Sequence, residues 1–147
     1  MSSSQVTTGD RIIDPMIALA GCSTRQRIVV AGSKSMELML ELHRRGYLLA
    51  AATGNCGRPT GQYDVALVDW RRRTLHALEA TMDWLVNFLH PGAVLVVWVD
   101  AQIAAANASL RDSVEKRGFA IVSGTVHECG CALSARRLQS YPVQKAA

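Results

Sequence analysis

Few side chains in this sequence are of types and spacings that do chemistry. Gly32-Ser33-Lys34 follows an apolar run and precedes a helical pattern. At such a turn the backbone N–H groups and the helix dipole favour anions, and Lys34 adds charge. The same residues also make a plain turn with Ser33 as its N-cap. Asp69-Trp70 closes a second apolar run. There an acid can orient a bound group and an indole can stack on a flat ring. Equally, Asp69 can cap the next helix with Trp70 as a part-buried anchor. Arg71-Arg72-Arg73 follows at once. It suits an acidic ligand or a protein partner, though a charge run is more often a solvated turn. No aromatic residues interleave the arginines, which disfavours nucleic acid. His127, Cys129 and Cys131 alternate as metal-type ligands, but zinc wants three or four such groups and the run reads better as a hairpin turn with small thiols, so no metal is expected. Cys56 is a nucleophile by type, yet nothing pairs it with His43, His76 or His90. No catalytic residue is assigned.

These residues sit on a strongly patterned frame. Tyr63–Asp69 and Ala93–Val99 are near-unbroken apolar runs. Such runs are strands buried on both faces, as in a parallel sheet. Between them, Leu75, Leu78, Met82, Leu85, Val86 and Leu89 keep helical spacing. This predicts a helix over about 75–89, stopped by Pro91-Gly92. Upstream, Arg27–Gly32 reads as the first strand and residues 34–45 as a helix ending at Gly46. Tyr47–Thr53 reads as a second strand, weakened by its alanines. Asp14-Pro15 is expected to start a short helix in whose first turn proline is tolerated. Residues 54–62, with three glycines and a proline, read as a loop. A last helix is expected over about 108–117. Phe119–Val126 and Cys131–Arg136 are joined too closely for a crossover, so they form an antiparallel hairpin.

The bounds are those of one domain of 147 residues with 49% hydrophobic and 19% charged residues and net charge +4. The expected layout is a polar, disordered lead over 1–10, one α/β domain over 11–138 and a polar tail over 139–147. No run approaches the roughly 20 apolar residues of a membrane span, and the first ten residues lack the features of a signal peptide. A cytoplasmic location with reduced thiols is expected.

Four local patterns together resemble the class I S-adenosylmethionine-dependent methyltransferases. They are Val29-Val30-Ala31-Gly32 before a helix, Tyr63-Asp64-Val65-Ala66-Leu67-Val68, Leu89-His90-Pro91-Gly92-Ala93-Val94-Leu95-Val96-Val97, and the helix ending in Arg117-Gly118-Phe119 before a hairpin that ends at Ala135-Arg136-Arg137. The resemblance covers most of 27–137. It implies a Rossmann-like three-layer sandwich, mostly parallel, with a C-terminal antiparallel hairpin. It also implies S-adenosylmethionine as the cofactor, held by Gly32, Ser33, Lys34, Thr53, Asp69 and Trp70. The sequence departs from the family at three places. The first turn has one glycine and no acid; Thr53 stands where the family's acid holds the ribose; and the loop 54–62 replaces a helix and an edge strand. The expectation is therefore a divergent, shortened domain that binds a ligand or a protein partner through a weakened cofactor site. The alternatives are an active small methyltransferase and a receiver-like signalling domain with Asp69 as phospho-acceptor. The shortened half of the sheet leaves an edge to cover, which suggests a homodimer.

Overall fold

The alternation of apolar residues along the strands decides the layers. A computed structural model describes residues 8–53, 62–71, 73–100, 104–127 and 130–138. Six strands form one sheet: β1 (Ile28–Gly32), β2 (Ala50–Ala52), β3 (Tyr63–Asp69), β4 (Leu89–Val99), β5 (Phe119–His127) and β6 (Gly130–Arg137). Their order is β2-β1-β3-β4-β6-β5. The first four run parallel, whereas β6 pairs antiparallel with both β4 and β5. Val29, Ala31, Ala66, Val68, Leu95 and Val97 face one apolar cluster; Ile28, Val30, Val65, Leu67, Val96 and Trp98 face the other. A period of two thus puts both faces of the central strands in core. Helices α3 (Leu75–Leu85) and α4 (Ala104–Lys116) cover the first face with Leu78, Met82, Leu85, Leu110 and Val114. Helices α1 (Thr8–Ala20) and α2 (Ser35–Arg44) cover the second with Ile12, Ile13, Met16, Leu38 and Leu42. This is the expected Rossmann-like sandwich with its antiparallel end. A receiver-like sheet of order 2-1-3-4-5 has no such antiparallel pair.

Several boundaries differ from the sequence reading. The first helix begins at Thr8, so residues 8–10 belong to α1 and not to a lead, and Pro15 lies inside it. Proline there removes one helical hydrogen bond, but burial of Ile12, Ile13 and Met16 on either side of it holds the turn. Residues 1–7 and 139–147 lie outside the described residues. The second strand shrinks to Ala50–Ala52, paired with Ile28–Val30. Alanine adds little to a strand, and Leu48 and Leu49 stay exposed. The third helix stops at Leu85, passes through a 3-10 turn over Val86–Phe88, and β4 starts at Leu89, ahead of Pro91. Phe88 and Leu89 are buried, which draws the chain into the sheet early. Proline is tolerated because residues 90–93 bulge out opposite Asp64, between the Tyr63–Leu89 and Val65–Val94 pairs. The fourth helix starts at Ala104, four residues before its expected start.

At the bulge, His90 Nε2 lies 2.5 Å from one Asp64 oxygen, and the Arg27 amide donates to the other at 2.8 Å. Helices α3 and α4 are joined by Ser113 to Glu79 at 3.0 Å and Arg117 to Asp83 at 2.9 Å. Among the described residues no helix is long and apolar enough to cross a membrane.

Candidate functional site

Open α/β sheets place ligands outside the carboxyl ends of their strands. Here Gly32 ends β1, Asp69 ends β3, and Thr53 directly follows β2. The three strand ends lie side by side, because Gly32 pairs with Asp69 and Val30 with Ala52. The fold therefore brings Gly32, Ser33, Lys34, Thr53, Asp69 and Trp70 to one rim. Arg71 and Arg73 share it; Arg72 lies outside the described residues, as do Cys56 and Cys129.

The local geometry is set by close approach of β1 and β3. Gly32 has φ +95°, and a Cβ on it would run into the Asp69 carbonyl and crowd the Trp70 ring. Only glycine fits there. The next amide, Ser33 N–H, donates to that carbonyl at 2.6 Å. It is used inside the chain and does not point at a ligand. Ser33 is not the N-cap of α2. That place is taken by Lys34, left-handed at φ 53°, with no side-chain cap bond. The Ser33 hydroxyl instead donates to the Arg71 carbonyl and accepts from Arg73 Nε, both at 3.0 Å. Three separate hydrogen bonds thus tie the turn after β1 to the last residue of β3 and the chain that follows it.

Asp69 does not cap α3 either. Thr74 does, accepting from the Ala77 amide at 3.1 Å. The buried Asp69 carboxylate is held by Arg71, whose Nε and Nη2 donate to its two oxygens at 2.8 and 2.7 Å. This is the bidentate, charge-assisted arrangement in which guanidinium and carboxylate bind best. Trp70 is buried at 3% exposure, its indole N–H donating to the Thr74 carbonyl at 2.7 Å. The Arg73 guanidinium sits 5.0 Å from its ring. Both described arginines of the rim are engaged within the chain, which is why their run reads as free charge only in the sequence. The signal that could have revealed the pair was the Asp-x-Arg spacing after a buried strand.

The rest of the chemistry lies elsewhere. His127 pairs with Gly130 and Val126 with Cys131, so His127 and Cys131 stand on the two facing strands of the hairpin. Among the described residues no three metal-ligating side chains cluster. Burial pushes the Cys22 thiol up to about 11, which makes it a poor nucleophile. At the opposite end of the sheet, His90 is raised above its ordinary value by the Pro91 carbonyl and then by Asp64. Sequence reading missed that pair, whose partners are far apart in the chain.

No protein-family model matches the chain, and no curated protein matches it. Solved structures do. The ribosomal protein L11 methylase of Lactobacillus delbrueckii subsp. bulgaricus superposes with a TM-score of 0.65 at 12% identity, over 88% of this chain and 78% of that one. The RNA methyltransferase of Salinibacter ruber, in complex with S-adenosyl-L-homocysteine, gives 0.61 at 12% identity, over 95% and 98%. The cyclase SpnF gives 0.63 at 12% identity, over 89% and 82%. The fold is that of the class I S-adenosylmethionine-dependent methyltransferases, in a divergent form. At these identities the likeness carries the fold alone.

Proposed function

We propose that this chain is a methyltransferase-like domain that works by binding a ligand or a protein partner, with its cofactor turn closed by its own residues. The observation behind this reading is the tie between Ser33 and the segment after β3. Trp70, Arg71 and Arg73 lie against the turn whose glycines, in the resembled family, let the backbone approach the cofactor. The single glycine, Gly32, is already spent on contact with Asp69. Thr53 is a weaker ribose partner than an acid. The residues present do not fit S-adenosylmethionine well. SpnF, a cyclase, shows that this fold hosts other activities than methyl transfer. A cytoplasmic location belongs to the same proposal. So does a homodimer or protein partner on the β2 side, where Met36, Leu40, Leu48 and Leu49 are exposed.

Calorimetric titration of the purified chain with S-adenosylmethionine and S-adenosylhomocysteine tests the reading. The expected result is no binding up to millimolar concentration. Micromolar binding would overturn it in favour of the second reading, an active small methyltransferase. That reading has one observation on its side. The Salinibacter enzyme, covered over 98% of its length by this chain, was solved with S-adenosylhomocysteine.

A further inference from the structure

A cavity of about 130 Å3 opens between the first half of α4 and the β5–β6 hairpin. It lies on the far side of β4 from Asp69, at the end of that strand, where Val99 forms part of its wall. Leu110 and Leu133 make the wall apolar, and Asn107 and Arg111 add polar groups. Neither the Asn107 nor the Arg111 side chain has a hydrogen bond or ion pair among the described residues. Gly124 is what lets the guanidinium lie against the strand. A Cβ there would crowd Arg111 Nη2 at 3.1 Å.

We propose that this cavity binds a small carboxylate with a short, branched apolar body. The uncommitted guanidinium is a planar fork that matches a carboxylate in two parallel hydrogen bonds. Asn107 offers an amide donor beside it. The volume is well below the several hundred Å3 of pockets for drug-sized ligands, so a nucleotide or a large cofactor does not fit. Inorganic phosphate would leave the walls of Val99, Leu110 and Leu133 uncovered. A neutral molecule of the same shape would cover them but forgo the charge-assisted hydrogen bonds that the guanidinium offers. A branched aliphatic acid satisfies both. The site does not depend on how the turn after β1 is used, because no residue is shared between the two.

The test is a nitrogen-15 NMR titration of the full chain with isovalerate, with isoamyl alcohol and inorganic phosphate as controls. The Gly124 amide and the Arg111 backbone and Nε–H signals are expected to shift together on one saturating curve. Arg111 is exposed, so Arg111→Met leaves the fold intact. That variant is expected to lose about tenfold in isovalerate affinity, the share of one charge-assisted contact. An absence of saturable shifts overturns the proposal. So does equal binding by the Met variant, or by isoamyl alcohol. Equal binding of phosphate overturns the carboxylate assignment. Each result is read without S-adenosylmethionine, so it stands apart from the outcome of the cofactor titration.

Discussion

Replacing Arg71 by methionine tests whether the rim is held by the buried ion pair. The Asp69 side chain is 4% exposed, and Arg71 supplies a hydrogen bond to each of its oxygens. The Arg71 backbone amide, at 3.4 Å, is too long to replace them. In Arg71→Met the carboxylate stays buried without a counter-charge. Breaking a buried pair in this way costs about 3–5 kcal/mol. Arg71 is itself 13% exposed, which lets some water reach the carboxylate and favours the lower figure. At roughly 2–4 °C per kcal/mol for a chain of this length, a loss of about 3 kcal/mol lowers the melting temperature by about 6–12 °C. The double variant Asp69→Asn with Arg71→Met removes the charge together with its partner. It is expected to return to within about 1 kcal/mol of the starting protein. Urea unfolding followed by circular dichroism measures Arg71→Met, Asp69→Asn and the double variant against the parent. The reasoning fails if Arg71→Met falls within about 0.5 kcal/mol of the parent, or if the double variant loses as much as the two singles added.

Gly32→Ala is expected to cost about 2–4 kcal/mol, from its left-handed backbone and the clash with the Asp69 carbonyl; an unchanged melting curve would mean that β1 and β3 do not close on each other. His90 gives a pH signature. Its value is raised in the folded chain, so the Pro91 and Asp64 contacts stabilise fully below the ordinary value of 6.5 and fade as pH rises through the raised one. His90→Gln should therefore melt below the parent by more at about pH 5.5 than at about pH 9, and a gap that widens with pH would reverse the sign. Light scattering across concentration should show association that Met36→Lys with Leu40→Lys abolishes; a monomer at every concentration would exclude pairing through α2.

The central sheet was legible because its strands obey one rule. Buried on both faces, Val65–Val68 and Leu95–Val99 had to be apolar without interruption, and no helix of amphipathic type reads that way. The hairpin was legible for a different reason, the shortness of its connection. Ala50–Ala52 was only partly legible, since its place depends on pairing with Ile28–Val30 and not on its own side chains. Pro15 misled the reading of α1, because burial of Ile12 and Ile13 outweighs the local cost of proline and does not show in the local pattern. At the rim, the residue types were visible but their use was not. Whether Asp69 faces a ligand or Arg71, and whether Ser33 caps a helix or bridges to Arg73, depends on side-chain geometry across two strand ends. The contact of Asp64 with His90 spans a bulge that no periodicity announces.

The outermost strand has its own consequence. β5 is nine residues long and borders the sheet, which makes it a template for another chain to extend. Its register with β6 slips between Ile121 and Ser123, leaving Val122 as the extra residue and 65% exposed. A bulge bends the strand and breaks its ladder, so an incoming strand finds no long straight margin to match. The other margin, β2, is only three residues long. Sheet-to-sheet growth is therefore blunted at both ends. Deleting Val122 would straighten β5 and turn a quiet border into a seed for aggregation.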